Sequence, residues 1–211
     1  MKRCGLVPLF THDHPGDALD VLNTAYHAGI RVFEFTNRRS NSLEVFRFLH
    51  SRRAEFPELM LGIGTIMDAA STKTFIDAGA DFVISPIVNT EMAPVCHQHD
   101  RLWIPGCATL TEIVTARDHG AEVMKIFPGS VLGPAFISAI MSVVPGLLLM
   151  VTGGVEPTKE NLTAWFRSGA MCVGMGSNLF PKDVREKKQW TVLGSTITKS
   201  REMIQEIKNK S

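Results

Sequence analysis

The chain has 211 residues, 45 % of them hydrophobic and 20 % charged, with a formal net charge of +1. That length and balance allow one large core and supply neither a basic field for nucleic acid nor an acidic tail. No apolar run reaches the roughly 18 residues of a membrane span, and Met1 leads to Leu6-Val7-Pro8-Leu9-Phe10 without a signal-peptide pattern, so a cytoplasmic protein is expected.

In chain order, eight short apolar runs read as strands, at residues 5–10, 31–36, 59–65, 82–86, 102–107, 123–127, 147–153 and 171–176. Helix-like segments lie between them at about 18–27, 42–54, 69–78, 91–99, 110–119, 134–144 and 159–167, and a longer closing helix runs from near Asp183 toward Asn209. Gly29, Gly79, Gly120 and Gly169 stand where a helix must stop before the next strand. Strands alternating with helices imply a parallel sheet, and eight such units predict a single-domain (β/α)8 TIM barrel over residues 1–211 rather than an open doubly wound sheet. Cys4, Cys96, Cys107 and Cys172 show no CxxC spacing and are expected to be free thiols.

In such a barrel the reactive groups collect at the C-terminal ends of the strands. The sixth predicted strand, Val123-Met124-Lys125-Ile126-Phe127, carries a lysine inside an apolar run. Desolvation there disfavours the ammonium form and favours the neutral amine that condenses with a ketone to a Schiff base. The second strand ends Phe33-Glu34-Phe35-Thr36; with Phe33 and Phe35 toward the helices, period-two alternation turns Glu34 inward, and the same rule turns Lys125 inward between Met124 and Ile126. The two strands are opposite one another, so an amine and a proton shuttle can meet in one pocket. A buried ion pair is the structural alternative. Gly62-Ile63-Gly64-Thr65, Thr152-Gly153-Gly154 and Gly174-Met175-Gly176-Ser177 are read as anion-binding strand ends, the last two as a phosphate cup.

These segments, together with Thr36-Asn37-Arg38, Ile84-Ser85-Pro86, Ile104-Pro105-Gly106 and Phe127-Pro128, resemble the 2-dehydro-3-deoxyphosphogluconate (KDPG) and 4-hydroxy-2-oxoglutarate (KHG) aldolase family. The resemblance implies a class I aldolase acting on a small keto acid, without cofactor or metal, as a homotrimer. It implies Lys125 as the Schiff-base lysine and Glu34 as the general acid/base. Arg38 and Thr65, helped by Thr152, would hold the pyruvyl carboxylate; Pro86 and Phe127 would wall the pocket; Gly153, Gly154, Gly176 and Ser177 would receive the phosphate. The expected reaction is cleavage of KDPG to pyruvate and glyceraldehyde 3-phosphate, with KHG cleavage beside it. Many relatives carry an arginine at the end of the first strand, where this chain reads Phe10-Thr11-His12-Asp13-His14, so a weaker phosphate grip or a histidine substitute is expected. The spacing of His12 with His14, and of His97 with His99, raises metal binding as a rival; the first pair lacks further ligands and the second lies toward the wrong end of the barrel. A phosphogalactonate aldolase and a non-catalytic phosphosugar-binding barrel are the remaining alternatives.

Overall fold

The computed structural model describes residues 1 and 3–210; residues 2 and 211 of the expected domain lie outside the described residues. The strands are β1 (Leu6–Phe10), β2 (Val32–Thr36), β3 (Met60–Gly64), β4 (Phe82–Ile84), β5 (Leu102–Ile104), β6 (Gly106–Cys107), β7 (Val123–Ile126), β8 (Leu148–Thr152) and β9 (Cys172–Met175). All their pairings are parallel, in the order β5-β4-β3-β2-β1-β9-β8-β7-β6. β5 and β6 are the two halves of one predicted strand, broken at Pro105, and they pair with β4 and β7 respectively. The expected eight-stranded barrel therefore closes through a strand that bends at proline, which has no N–H to give to a ladder.

The helices α1 (Pro15–His27), α2 (Ser42–Ser51), α3 (Ala69–Asp77), α4 (Met92–Gln98), α5 (Leu110–Asp118), α6 (Gly129–Val143), α7 (Lys159–Arg167), α8 (Lys182–Glu186) and α9 (Trp190–Asn209) alternate with the strands or follow them. Their starts obey local chemistry: Asp68 and Thr158 cap α3 and α7, and Thr109 with Glu112 forms a reciprocal capping box on α5. Gly29, Gly79, Gly120 and Gly169 take the left-handed conformation after their helices, as expected. Two helices depart from expectation. α6 contains a break at Gly133 (φ 72°), so the predicted helix from 134 is preceded by one extra turn. The closing helix is two helices, because Lys188 adopts φ 49° between α8 and α9 while its ammonium bonds Asp17 at 2.7 Å.

Alternation along each strand sorts side chains between two cores. Phe33, Phe35, Met124 and Ile126 face outward and join the apolar layer under the helices, while Val7, Val32, Phe82, Ile84, Ile104, Val123, Met150 and Cys172 plug the barrel interior. Each large side chain buried this way contributes about 1.5–3 kcal/mol, which offsets the several kcal/mol that burying a charge costs. Moving two residues toward the C-terminal ends from that plug gives the next inward layer: Leu9, Glu34, Pro86, Gly106, Lys125, Thr152 and Gly174, with Gly64 beside Glu34. The charged pair thus sits directly above an apolar floor.

Candidate active site

Lys125 and Glu34 are 4 % and 1 % exposed, the only carboxylate and ammonium among the buried polar side chains described. Burial pushes the Glu34 carboxyl up, against the pull of Lys125 and Arg38, and pushes the Lys125 ammonium down despite the opposing charge of Glu34. Both changes favour the neutral forms. The two groups feel one another, yet they form no ion pair, and neither Glu34 oxygen has a hydrogen-bond partner among the described residues. The alternative of a structural salt bridge is therefore not realised. Unspent buried carboxylate oxygens are costly for stability and available for proton transfer.

The small residues of the inward layer make room for this pair. A Cβ on Gly64 would run into the Glu34 carboxylate, one on Gly62 into the Phe82 ring, and one on Gly106 into the Pro86 backbone. Gly62 and Gly64, read from the sequence as part of an anion-binding strand end, thus also make room for side chains that fill the barrel. Thr65, which follows them, holds φ 63°, a conformation costing a β-branched residue about 1–3 kcal/mol and concentrated at functional sites. Its hydroxyl accepts a hydrogen bond from Arg38 Nε at 3.4 Å.

Over the charged layer opens a cleft of about 360 Å³ lined by Arg38, Phe127, Thr152, Gly153, Gly154, Gly176 and Ser177 among others. Lys125 Nζ lies 4.9 Å from the centroid of the Phe127 ring, which puts the amine against the cleft wall. Thr152 Oγ1 is buried and unpartnered. Gly153 and Gly154 have φ 92° and 70°, and a Cβ on Gly154 would meet Ser130 Cα at 2.8 Å, so this turn requires glycine twice over. Of the expected site residues, Lys125, Glu34, Pro86 and Thr65 do not line the cleft; Lys125 meets its wall at Phe127, and Thr65 is bonded to Arg38, which does line it. The cleft also contains residues that sequence reasoning missed: Thr11, Thr36, Arg39, Asn178, Phe180 and Arg185. Alternation along β1 and β2 could have found Thr11 and Thr36; nothing local points to Arg185, on the far side of a strand-to-helix turn.

Three of the four histidines raised for metal binding have other contacts. His14 caps α1 through Asp17 N, His12 stacks on Phe10 with ring centroids 6.0 Å apart, and His97 lies against Gly120. The cysteines are free thiols, and burial pushes Cys96, Cys107 and Cys172 up to about 12.

The sequence matches the aldolase family described as KDPG and KHG aldolase over residues 1–196. It is 31 % identical over 191 residues to the 2-dehydro-3-deoxy-phosphogluconate aldolase of Pseudomonas aeruginosa, covering 90 % of this chain and 84 % of the relative. It is 34 % identical over 122 residues to the 2-dehydro-3-deoxy-6-phosphogalactonate aldolase of Escherichia coli, covering 57 % and 58 %. A solved KDPG aldolase from Legionella pneumophila, with pyruvate captured as a covalent carbinolamine, shares the fold with a TM-score of 0.83 at 24 % identity, covering 93 % of this chain and 95 % of that one. The chain belongs to the KDPG and KHG aldolase family.

Proposed function

We propose that this family member is a class I aldolase that cleaves KDPG to pyruvate and glyceraldehyde 3-phosphate through a Schiff base on Lys125, and that it also accepts KHG. One observation carries the reading: a buried amine and a buried, unpartnered carboxyl converge beneath a cleft at the C-terminal end of the barrel. Neutral Lys125 attacks the C2 carbonyl and forms a carbinolamine, whose hydroxyl leaves as water with the proton of the Glu34 carboxyl, giving the iminium and a Glu34 carboxylate. Glu34 takes the C4 hydroxyl proton as the C3–C4 bond breaks; the bonding electrons flow into the iminium and leave an enamine, and the aldehyde departs. The enamine then takes that proton back at C3, and water hydrolyses the iminium to release pyruvate and the free amine, the proton set free returning to Glu34. A carboxyl with a raised pKa suits a group that must both take and return a proton near neutral pH.

Arg38 and Thr65, already bonded to one another, would hold the pyruvyl carboxylate with Thr152, the guanidinium fork matching two oxygens. Gly153, Gly154, Gly176 and Ser177 would receive the phosphate. A silent binding barrel is disfavoured, because it gains nothing from an inward carboxylate whose oxygens go unpaired. The phosphogalactonate epimer is the second reading, favoured by the Escherichia coli relative. Pyruvate release from KDPG, its C4 epimer and KHG, measured side by side, tests the assignment; release from the epimer alone would select the second reading, and release from none would defeat both. Cytoplasmic location and a homotrimer complete the proposal. Met67 and Ile87, 52 % and 45 % exposed in the loops after β3 and β4, offer apolar surface for assembly, to be checked by light scattering.

A further inference from the structure

β1 ends at Phe10 and, with Thr11 after it, delivers no cation to the cleft, yet one reaches it from another part of the chain. Arg185, on α8, lines the cleft together with Gly153, Gly154, Gly176 and Ser177. Two contacts hold its guanidinium. Nε donates to Phe180 O at 2.9 Å, and Cζ stands 5.7 Å from the centroid of the Phe10 ring; both phenylalanines are buried. Arg39, the other added arginine of the cleft, is already paired with Asp13 at 3.2 Å. Arg185 has no carboxylate at salt-bridge distance among the described residues, and its Nη groups carry no hydrogen bond there. On the same cleft wall Thr11 Oγ1 is buried without a partner. A half-buried guanidinium with its Nε fixed and its fork unspent, lining one cleft with a glycine turn and the hydroxyl residues Thr11 and Ser177, is suited to accept a tetrahedral anion.

We propose that Arg185 determines specificity for the phosphorylated substrate, gripping the distal phosphate with Thr11 beside it, so that α8 supplies the positive charge that β1 lacks. This rests on the aldolase reading above.

The test compares wild type with Arg185→Gln and Arg185→Lys on KDPG and KHG, with calorimetric titration of inorganic phosphate alongside. Loss of one charge-assisted grip should raise KM for KDPG about tenfold to a hundredfold more than KM for KHG, with kcat nearly unchanged. Arg185→Lys should recover part of the loss, and phosphate affinity should fall in parallel. Equal damage to both substrates, or an unchanged KM for KDPG, would overturn the proposal and leave Arg185 as a prop for Phe180. If wild type releases pyruvate from neither substrate, the aldolase reading fails by itself. The titration then still decides: phosphate binding present in wild type and lost in Arg185→Gln sustains the subsite, whereas equal binding, or none in wild type, refutes it.

Discussion

Gly64→Ala perturbs the proposed proton shuttle without touching its chemistry. The new methyl carbon would stand 2.6 Å from Glu34 Cδ and 2.9 Å from Cγ, and in contact with Oε1. Carbon atoms rest about 3.5–4.0 Å apart, so the carboxyl must retreat by about 1 Å. Glu34 is 1 % exposed, so it cannot retreat into solvent. A displacement of that size costs a positioned catalytic group about a hundredfold in rate, and the overpacking costs about 1–3 kcal/mol of stability. Expected results are a KDPG turnover about a hundredfold below wild type, with Tm lowered by about 2–4 °C for each kcal/mol. Gly62→Ala is the control on the same strand. Its methyl meets the Phe82 ring in the apolar plug, so it should lower Tm while the folded enzyme keeps its turnover. Wild-type turnover in a folded Gly64→Ala enzyme, or equal catalytic loss in both variants, would refute the placement of Glu34 in the mechanism.

Glu34→Gln should lower KDPG cleavage by about a hundredfold to ten-thousandfold while still forming some pyruvate imine, as read by steady-state kinetics and trapping. The desolvation of Lys125 has a stability signature, measured by denaturant unfolding of Glu34→Gln against Glu34→Gln/Lys125→Met so that Lys125 titrates alone. Burial holds its folded pKa below the ordinary lysine value of 10.5, so between the two values the unfolded chain binds more protons and stability rises with pH. The single variant should therefore gain on the double as pH rises from the folded pKa toward 10.5, by about 1.4 kcal/mol for each tenfold weakening of proton affinity on folding. An opposite slope would mean that Lys125 is not desolvated.

The barrel and its buried Lys125 and Glu34 were legible because both rest on local periodicity. Alternation placed Phe33, Phe35, Met124 and Ile126 outward and left Glu34 and Lys125 no direction but inward, as the structure has them. What was not legible depends on contacts distant in sequence. That Gly62 and Gly64 also make room for Phe82 and Glu34 is visible only once those distant side chains are placed. The split of the closing helix hangs on Lys188, a residue with no intrinsic preference for φ 49°, held by an ion pair with Asp17 some 170 positions away in sequence. Arg185, on α8, enters the cleft from far along the chain. The bend at Pro105 was readable in principle, since a proline inside a strand demotes it.

The most direct measurement is trapping of the proposed imine. Incubation with pyruvate and borohydride should add one reduced pyruvate to the chain, abolish cleavage, and place the adduct by peptide mapping on Lys125. The exposed lysines should stay mostly unlabelled, because a solvated lysine of pKa about 10.4 is less than about a thousandth neutral at pH 7. Lys125→Ala should neither label nor cleave. An active Lys125→Ala enzyme, or a label confined to another lysine, would contradict a Schiff base on Lys125.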